Sequence, residues 1–164
     1  MDHPLDTAFV QLLNQNLGIA HKVSRVYFPD SDDREDALQE MMYQLWKSYP
    51  RFDGHSKFST WMYSVCLNTA LSYRRRLKTE KTERLSPAHH AVADQSSTTD
   101  EESMTLLLNA ISELSPLNKG IVLLYLEDMS YEEIASVTGL SRSNVSVRLV
   151  RIKKELEARI KQNN

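Results

Sequence analysis

The sequence holds one cysteine and four glycines among 164 residues. No apolar run in it approaches the roughly twenty residues that a membrane-spanning helix requires, so membrane insertion is not expected. A lone cysteine, Cys66, excludes an internal disulfide and points to a reducing, cytoplasmic compartment. Its apolar helical neighbours make it a buried thiol rather than a nucleophile. Scarce glycine leaves no loop to cradle a phosphate, and with little β-branched alternation it argues for an all-α chain. No nucleophile–base pair or metal cluster is present either, so neither enzymatic chemistry, a cofactor nor a metal is expected. His89-His90 is the sole histidine pair, and no third ligand stands at metal spacing. The N-terminus, Met1-Asp2-His3-Pro4-Leu5-Asp6, lacks the shape of a signal peptide.

Charge is plentiful but sorted into blocks. The net charge is only −2, from 20 basic and 22 acidic side chains. Asp30, Asp32, Asp33, Glu35, Asp36 and Glu40 form an acidic cluster, whereas Arg74, Arg75, Arg76 and Lys78 form a basic one. Residues 79–104 hold two basic and six acidic residues; Arg142 to Lys161 reverses this with seven basic and two acidic. Such blocks suggest surfaces with different partners.

The hydrophobic period divides the chain into two helical domains, 1–78 and 105–164, around a linker at 79–104. In the first, Phe9, Leu12, Leu13, Leu17, Ala20, Val23 and Tyr27 recur at helical spacing up to a break at Phe28-Pro29-Asp30. Asp32 or Asp33 can cap a second helix, whose apolar face is Ala37, Leu38, Met41, Met42, Leu45 and Trp46, ended by Pro50. After a turn-rich loop at 52–56, Phe58 to Leu77 reads as a third long helix. The linker has no apolar period and is rich in Ser, Thr, Pro and acid, hence flexible. From 104 the period resumes with Leu106, Leu107, Ala110, Ile111 and Leu114; Ser115-Pro116 opens the next helix.

The end of the chain is the most specific stretch. Ser130 with Glu133 is a capping box, Gly139 supplies a left-handed helix stop, and Ser141 caps the next helix. Val145, Leu149, Ile152 and Leu156 then form one apolar stripe, leaving polar and basic residues on the other faces. A short glycine-containing turn between two helices, with Ala135 at the close contact, matches the DNA-binding helix-turn-helix. A solvated αα-hairpin is the plain alternative; the basic excess of the last helix weighs against it.

The runs DREDALQE at 33–40, LW at 45–46 and FDGHSKFSTWMYSVCLNTALSYRRR at 52–76 narrow the choice. Together with the helix-turn-helix they resemble the sigma-70 family of bacterial transcription initiation factors, and within it the extracytoplasmic-function (ECF) group. That group keeps sigma regions 2 and 4 joined by a linker. The resemblance implies a factor that binds core RNA polymerase and directs initiation at −35 and −10 promoter elements, with bond-making left to the polymerase. Asp33, Asp36, Leu38, Gln39, Glu40, Met42 and Trp46 would dock on the clamp helices of the β′ subunit. The loop 52–57 and Asn68 would form a pocket for a flipped base of the melted non-template −10 strand. Trp61 and Tyr63 would be near bases, and Lys57, Arg74, Arg75 and Arg76 on phosphates; a core role also suits Phe58 and Trp61.

For the −35 element the resemblance implicates Arg142, Ser143, Asn144, Ser146, Val147, Arg148, Val150, Arg151 and Lys154 in the major groove. Arg148, Arg151 and Lys154 would serve mainly as phosphate contacts. Ser146 departs from the arginine that many ECF members carry there and cannot bond guanine in bidentate fashion. The −35 preference therefore does not transfer. An apolar surface around Leu123, Leu124 and Leu126 is a candidate seat for the β-flap tip, with a core role as the alternative. An anti-sigma factor is a further partner the resemblance allows. Two rivals remain: a stand-alone helix-turn-helix regulator, and a helical adaptor that binds only protein.

Overall fold

A computed structural model describes residues 4–83 and 99–163. Every regular element among these is helical. The helices are α1 (Pro4–Gln15), α2 (Leu17–Tyr27), α3 (Ser31–Ser48), α4 (Phe58–Glu83), α5 (Thr99–Ser112), α6 (Pro116–Leu126), α7 (Tyr131–Thr138) and α8 (Arg142–Gln162), with a 3₁₀ turn at Tyr49–Arg51. The chain divides into two compact units, Met1–His89 and His90–Asn164. The stretch 84–98, including His89-His90, lies outside the described residues. Of the segment read as a linker, 79–83 continue α4 and 99–104 already belong to α5.

In the first unit α2, α3 and α4 pack on one another. Each contributes a row at helical spacing: Ala20, Val23 and Val26 from α2, Ala37, Met41 and Leu45 from α3, Met62, Cys66 and Ala70 from α4. All nine are essentially without exposure, and the large aliphatic members each contribute about 1.5–3 kcal/mol by leaving water. Burial pushes the Cys66 thiol up to about 12, which leaves it neutral and unreactive.

Three local details differ from the sequence reading. The first helix breaks at Asn16, whose side-chain amide donates back to the Leu12 carbonyl at 2.8 Å, and α2 begins at Leu17. The cap of α3 is Asp30 rather than Asp32 or Asp33: its carboxylate accepts the N–H of both, at 2.9 and 3.1 Å. That arrangement satisfies two donors left over at the helix start. Arg34 folds back to donate to the carbonyls of Phe28 and Pro29, at 3.1 and 3.2 Å, and so holds the α2–α3 corner. Finally, α4 extends six residues past Leu77, to Glu83.

The second unit is the four-helix arrangement expected, built around Ala110, Ile111, Ile121, Leu124, Ile134, Val145, Leu149 and Ile152. Ser115 precedes α6 without a capping bond, and Pro116 supplies the preset first turn. Leu123 and Leu124 are core, so only Leu126 of the surface assigned to the β flap is exposed. Arg159 of α8 pairs with Glu113 just beyond α5 and with Glu155 one turn back.

Candidate nucleic-acid interface

The helix-turn-helix is built from three small devices. Ser130 Oγ accepts the Glu133 N–H at 3.1 Å and starts α7. Gly139, at φ +77°, ends it with its N–H on the Ala135 carbonyl, a backbone state that costs glycine little. Ser141 Oγ accepts the Asn144 N–H at 3.1 Å and starts α8. Val145, Leu149, Ile152 and Leu156 then turn inward. Helical geometry consequently sends Ser143, Val147, Val150 and Lys154 to the opposite side. Val147 and Val150 are 50% and 54% exposed, an apolar strip in the middle of a polar, basic face.

The predicted −35 residues do not all face the same way. Ser143, Asn144, Val147, Val150, Arg151 and Lys154 are exposed, while Ser146 is half-buried at the margin. Arg142 pairs with Glu132 of α7 at 3.1 Å. Arg148 is half-buried and turned aside: its Nε donates to Asn144 Oδ1, and Nη1 to Asn118 Oδ1 of α6, both at 3.2 Å. It is therefore engaged with protein rather than extended from the surface as a phosphate ligand would be. Lys153, one of the basic residues of the last helix but not among those expected at the −35 element, lies over the Tyr125 ring at 4.5 Å. The hydrogen bond to Tyr125 raises its pKa.

In the first unit the long α4 carries the predicted −10 residues. Asn68 is exposed, opposite the buried Met62, Cys66 and Ala70. Trp61 lies seven residues before it and Arg75 seven after, so the three share one face. Tyr63 is a correction: only 1% exposed, its ring belongs to the core and is not available to a base. The helical period marked it as apolar-compatible but could not say which face was inward. The three consecutive arginines point three ways. Arg75 is exposed along the Asn68 face and Arg74 is half-buried. Arg76 leans toward α3, over the Tyr73 ring at 5.2 Å.

The loop before α4 is anchored by aromatic rings. Trp61 packs on Phe52 and Phe58 with centroids 5.2 and 5.3 Å away. Phe52 and Phe58, which bracket the loop, meet edge to face at 5.8 Å. Tyr49 joins the cluster and is covered by Phe9 of α1 at 4.9 Å. Within the loop Asp53 accepts the His55 N–H at 3.0 Å and lies 2.8 Å from its Nδ1, with Gly54 at φ +79°. The His55 backbone and ring hold the Asp53 carboxyl below its usual pKa. Lys57 is exposed at the loop's end.

On α3 the face away from the core carries Asp36, Gln39, Tyr43 and Trp46. Trp46 is 60% and Tyr43 51% exposed, two aromatic rings on one helix face, with Lys47 Nζ 5.8 Å from the centre of the Tyr43 ring. Tyr43 was absent from the sequence prediction, although its spacing from Gln39 and Trp46 placed it there. Leu38, Met42, Asp33 and Glu40 are half-buried at the margins. Gln44 donates to Glu40 at 3.0 Å.

Comparison with known proteins agrees with this architecture. Residues 12–80 match the family description "Sigma-70 region 2", and residues 104–156 match "Sigma-70, region 4". The chain is 28% identical over 129 residues to the RNA polymerase sigma factor YlaC of Bacillus subtilis, covering 75% of each. It is also 28% identical over 155 residues to the ECF RNA polymerase sigma-E factor of Escherichia coli K12, covering 87% of this chain and 80% of the relative. Among solved structures, the fold is shared with the sigma factor RpoE bound to the anti-sigma factor NepR, from Bartonella quintana. The TM-score is 0.81 at 20% identity, over 96% of this chain and 99% of that one. CnrH in complex with the cytosolic domain of CnrY gives 0.68 at 20% identity, over 96% and 90%. With both family regions matched in order, on the two helical units just described, this chain belongs to the sigma-70 family of RNA polymerase sigma factors, in the ECF group.

Proposed function

We propose that the chain, a promoter-specific initiation factor by family, binds core RNA polymerase through the exposed face of α3 and reads two promoter elements with α4 and α8. The observation that carries this is the face of α8. Exposed Ser143, Val147, Val150, Arg151 and Lys154 lie opposite a buried stripe, on a helix opened by a helix-turn-helix corner. Apolar Val147 and Val150 suit thymine methyl groups in the major groove, and Arg151 and Lys154 suit the flanking phosphates. The −10 element falls to Asn68 and Arg75, with the ring-anchored loop 52–57 beside Trp61 as the pocket for an unstacked base.

Asp36, Gln39, Tyr43 and Trp46 would meet the β′ clamp helices, where acidic side chains around two aromatic anchors suit a basic helical partner. Leu126 is what remains exposed for the β flap. The family's partner set extends the reading to an anti-sigma factor. No helix among the described residues is long and apolar enough to cross a membrane, and we place the activity in the cytoplasm with the polymerase. Two separately weak binding units gain from being tethered once both engage the same assembly.

The test is transcription by core polymerase on sheared DNA from the source genome, with and without the protein, read by sequencing RNA 5′ ends. New starts sharing motifs near −35 and −10 support the reading and supply the consensus. Absence of new starts with folded protein and active core points instead to a stand-alone regulator.

A further inference from the structure

We propose that Arg148 is a positioning residue: it fixes the amide of Asn144 so that α8 offers a hydrogen-bond donor to one base of the −35 element, selecting a keto base, guanine or thymine. The inference deepens the proposed reading and rests on α8 being the base-reading helix.

An arginine side chain has only donors, so any amide it bonds must turn its oxygen toward it. Arg148 bonds two amides at once, Asn144 through Nε and Asn118 through Nη1. Asn118 sits 30 residues away on α6, a separate packed helix. A guanidinium bonded at two points to different helices cannot turn freely, and the Asn144 oxygen is held on its side of α8. Asn144 is exposed in the first turn of α8, with its backbone N–H on Ser141 Oγ. Early recognition-helix residues are those that reach base edges. The group left facing outward is the amide NH₂.

In the major groove guanine offers two acceptors, O6 and N7, and thymine offers O4; adenine offers one acceptor, N7, beside its N6 donor, and cytosine only the N4 donor. A freely turning asparagine favours adenine, because it both donates to N7 and accepts from N6. With its oxygen engaged and a positive charge beside it, Asn144 loses that bidentate pairing: cytosine meets a donor with a donor, and adenine keeps N7 as its single acceptor with its N6 donor set against the amide NH₂ and the nearby guanidinium. The clamp thereby converts an adenine-reading side chain into one that reads keto bases.

The experiment is transcription by core polymerase carrying the full-length chain, from a promoter library randomised across the −35 element. The wild type should show one position where guanine or thymine exceeds adenine and cytosine by about tenfold. Asn144→Ala should flatten that position alone. Arg148→Lys keeps the charge but cannot hold both amides, and should admit adenine there while leaving other positions unchanged. Asn118→Ala, which loosens the clamp from the other side without touching α8, should act in the same direction and serves if Arg148→Lys does not fold. The proposal is overturned if the Asn144-dependent position favours adenine or cytosine, or if Asn144→Ala flattens no position. It is equally overturned if folded Arg148→Lys and Asn118→Ala leave the keto preference intact, or if they only lower output uniformly, as loss of a phosphate contact would. A wild type that initiates with no −35 preference at all refutes instead the assignment of α8 as the base reader.

Discussion

Arg76 of α4 approaches to within 3.9 Å of Glu40 of α3, so one arginine of the basic run is directed at the acidic helix while its neighbour Arg75 continues the Asn68 face. Exposed pairs of this kind contribute at most about 1 kcal/mol; their effect here is to set direction. Arg75→Ala should therefore cost more in promoter opening than Arg76→Ala. Losing one single-strand phosphate contact should lower the salt slope of open-complex formation by roughly 0.7. Permanganate footprinting of the melted region at several salt concentrations measures both. Equal losses from the two substitutions would mean that Arg76 leaves Glu40 on binding.

The Asn68 side chain makes no hydrogen bond among the described residues and faces outward, so its removal should leave folding almost unchanged. Asn68→Ala should reduce −10 base discrimination by about tenfold, the worth of a well-placed base-edge contact. Core polymerase affinity, followed by fluorescence anisotropy of labelled protein, should stay within about twofold. A collapse of polymerase binding would make Asn68 a structural residue instead.

Gly139→Ala tests the corner between α7 and α8. A Cβ built there meets nothing within 4 Å, so the cost is the left-handed backbone alone, about 1–2 kcal/mol. Hydrogen exchange at the α7 and α8 amides should accelerate accordingly, and Gly139→Asn should cost less because asparagine tolerates that region. No change in exchange would contradict the observed cap.

Cys66 gives a pH prediction. Its folded pKa is raised from 9.0 to about 12, so the folded thiol stays neutral where the unfolded one ionises. The sign is fixed: stability is unaffected below about pH 9 and declines as pH rises from there toward 12. At pH 8 a thiol reagent should label native protein only as fast as it opens, and urea should raise the rate by orders of magnitude. Immediate labelling of native protein would place the thiol at the surface.

The helix-turn-helix of the second unit was legible in the sequence because its signals are local. Ser130, Gly139 and Ser141 act within four residues of themselves, and the stripe from Val145 to Leu156 lies on one helix. The helical class and ECF resemblance followed from such short-range patterns. What stayed hidden was non-local or directional. Nothing near Arg148 in sequence announces Asn118, and the apolar spacing runs straight through the break at Asn16. Tyr63 was read as outward, near bases, and only the packed structure shows it buried. Tyr43 and the fates of Arg74, Arg75 and Arg76 were within reach, since successive helical residues point about 100° apart; treating the arginines as one basic patch obscured this.

The placement of the two tryptophans has a practical consequence. Trp46 stands on the α3 face and Trp61 in the ring cluster beneath the 52–57 loop, and the chain contains no other indole. Each surface thus carries its own intrinsic fluorophore. With Trp46→Phe or Trp61→Phe as single-reporter chains, stopped-flow emission would time the arrival at polymerase and the capture of the separated strand as two distinct clocks.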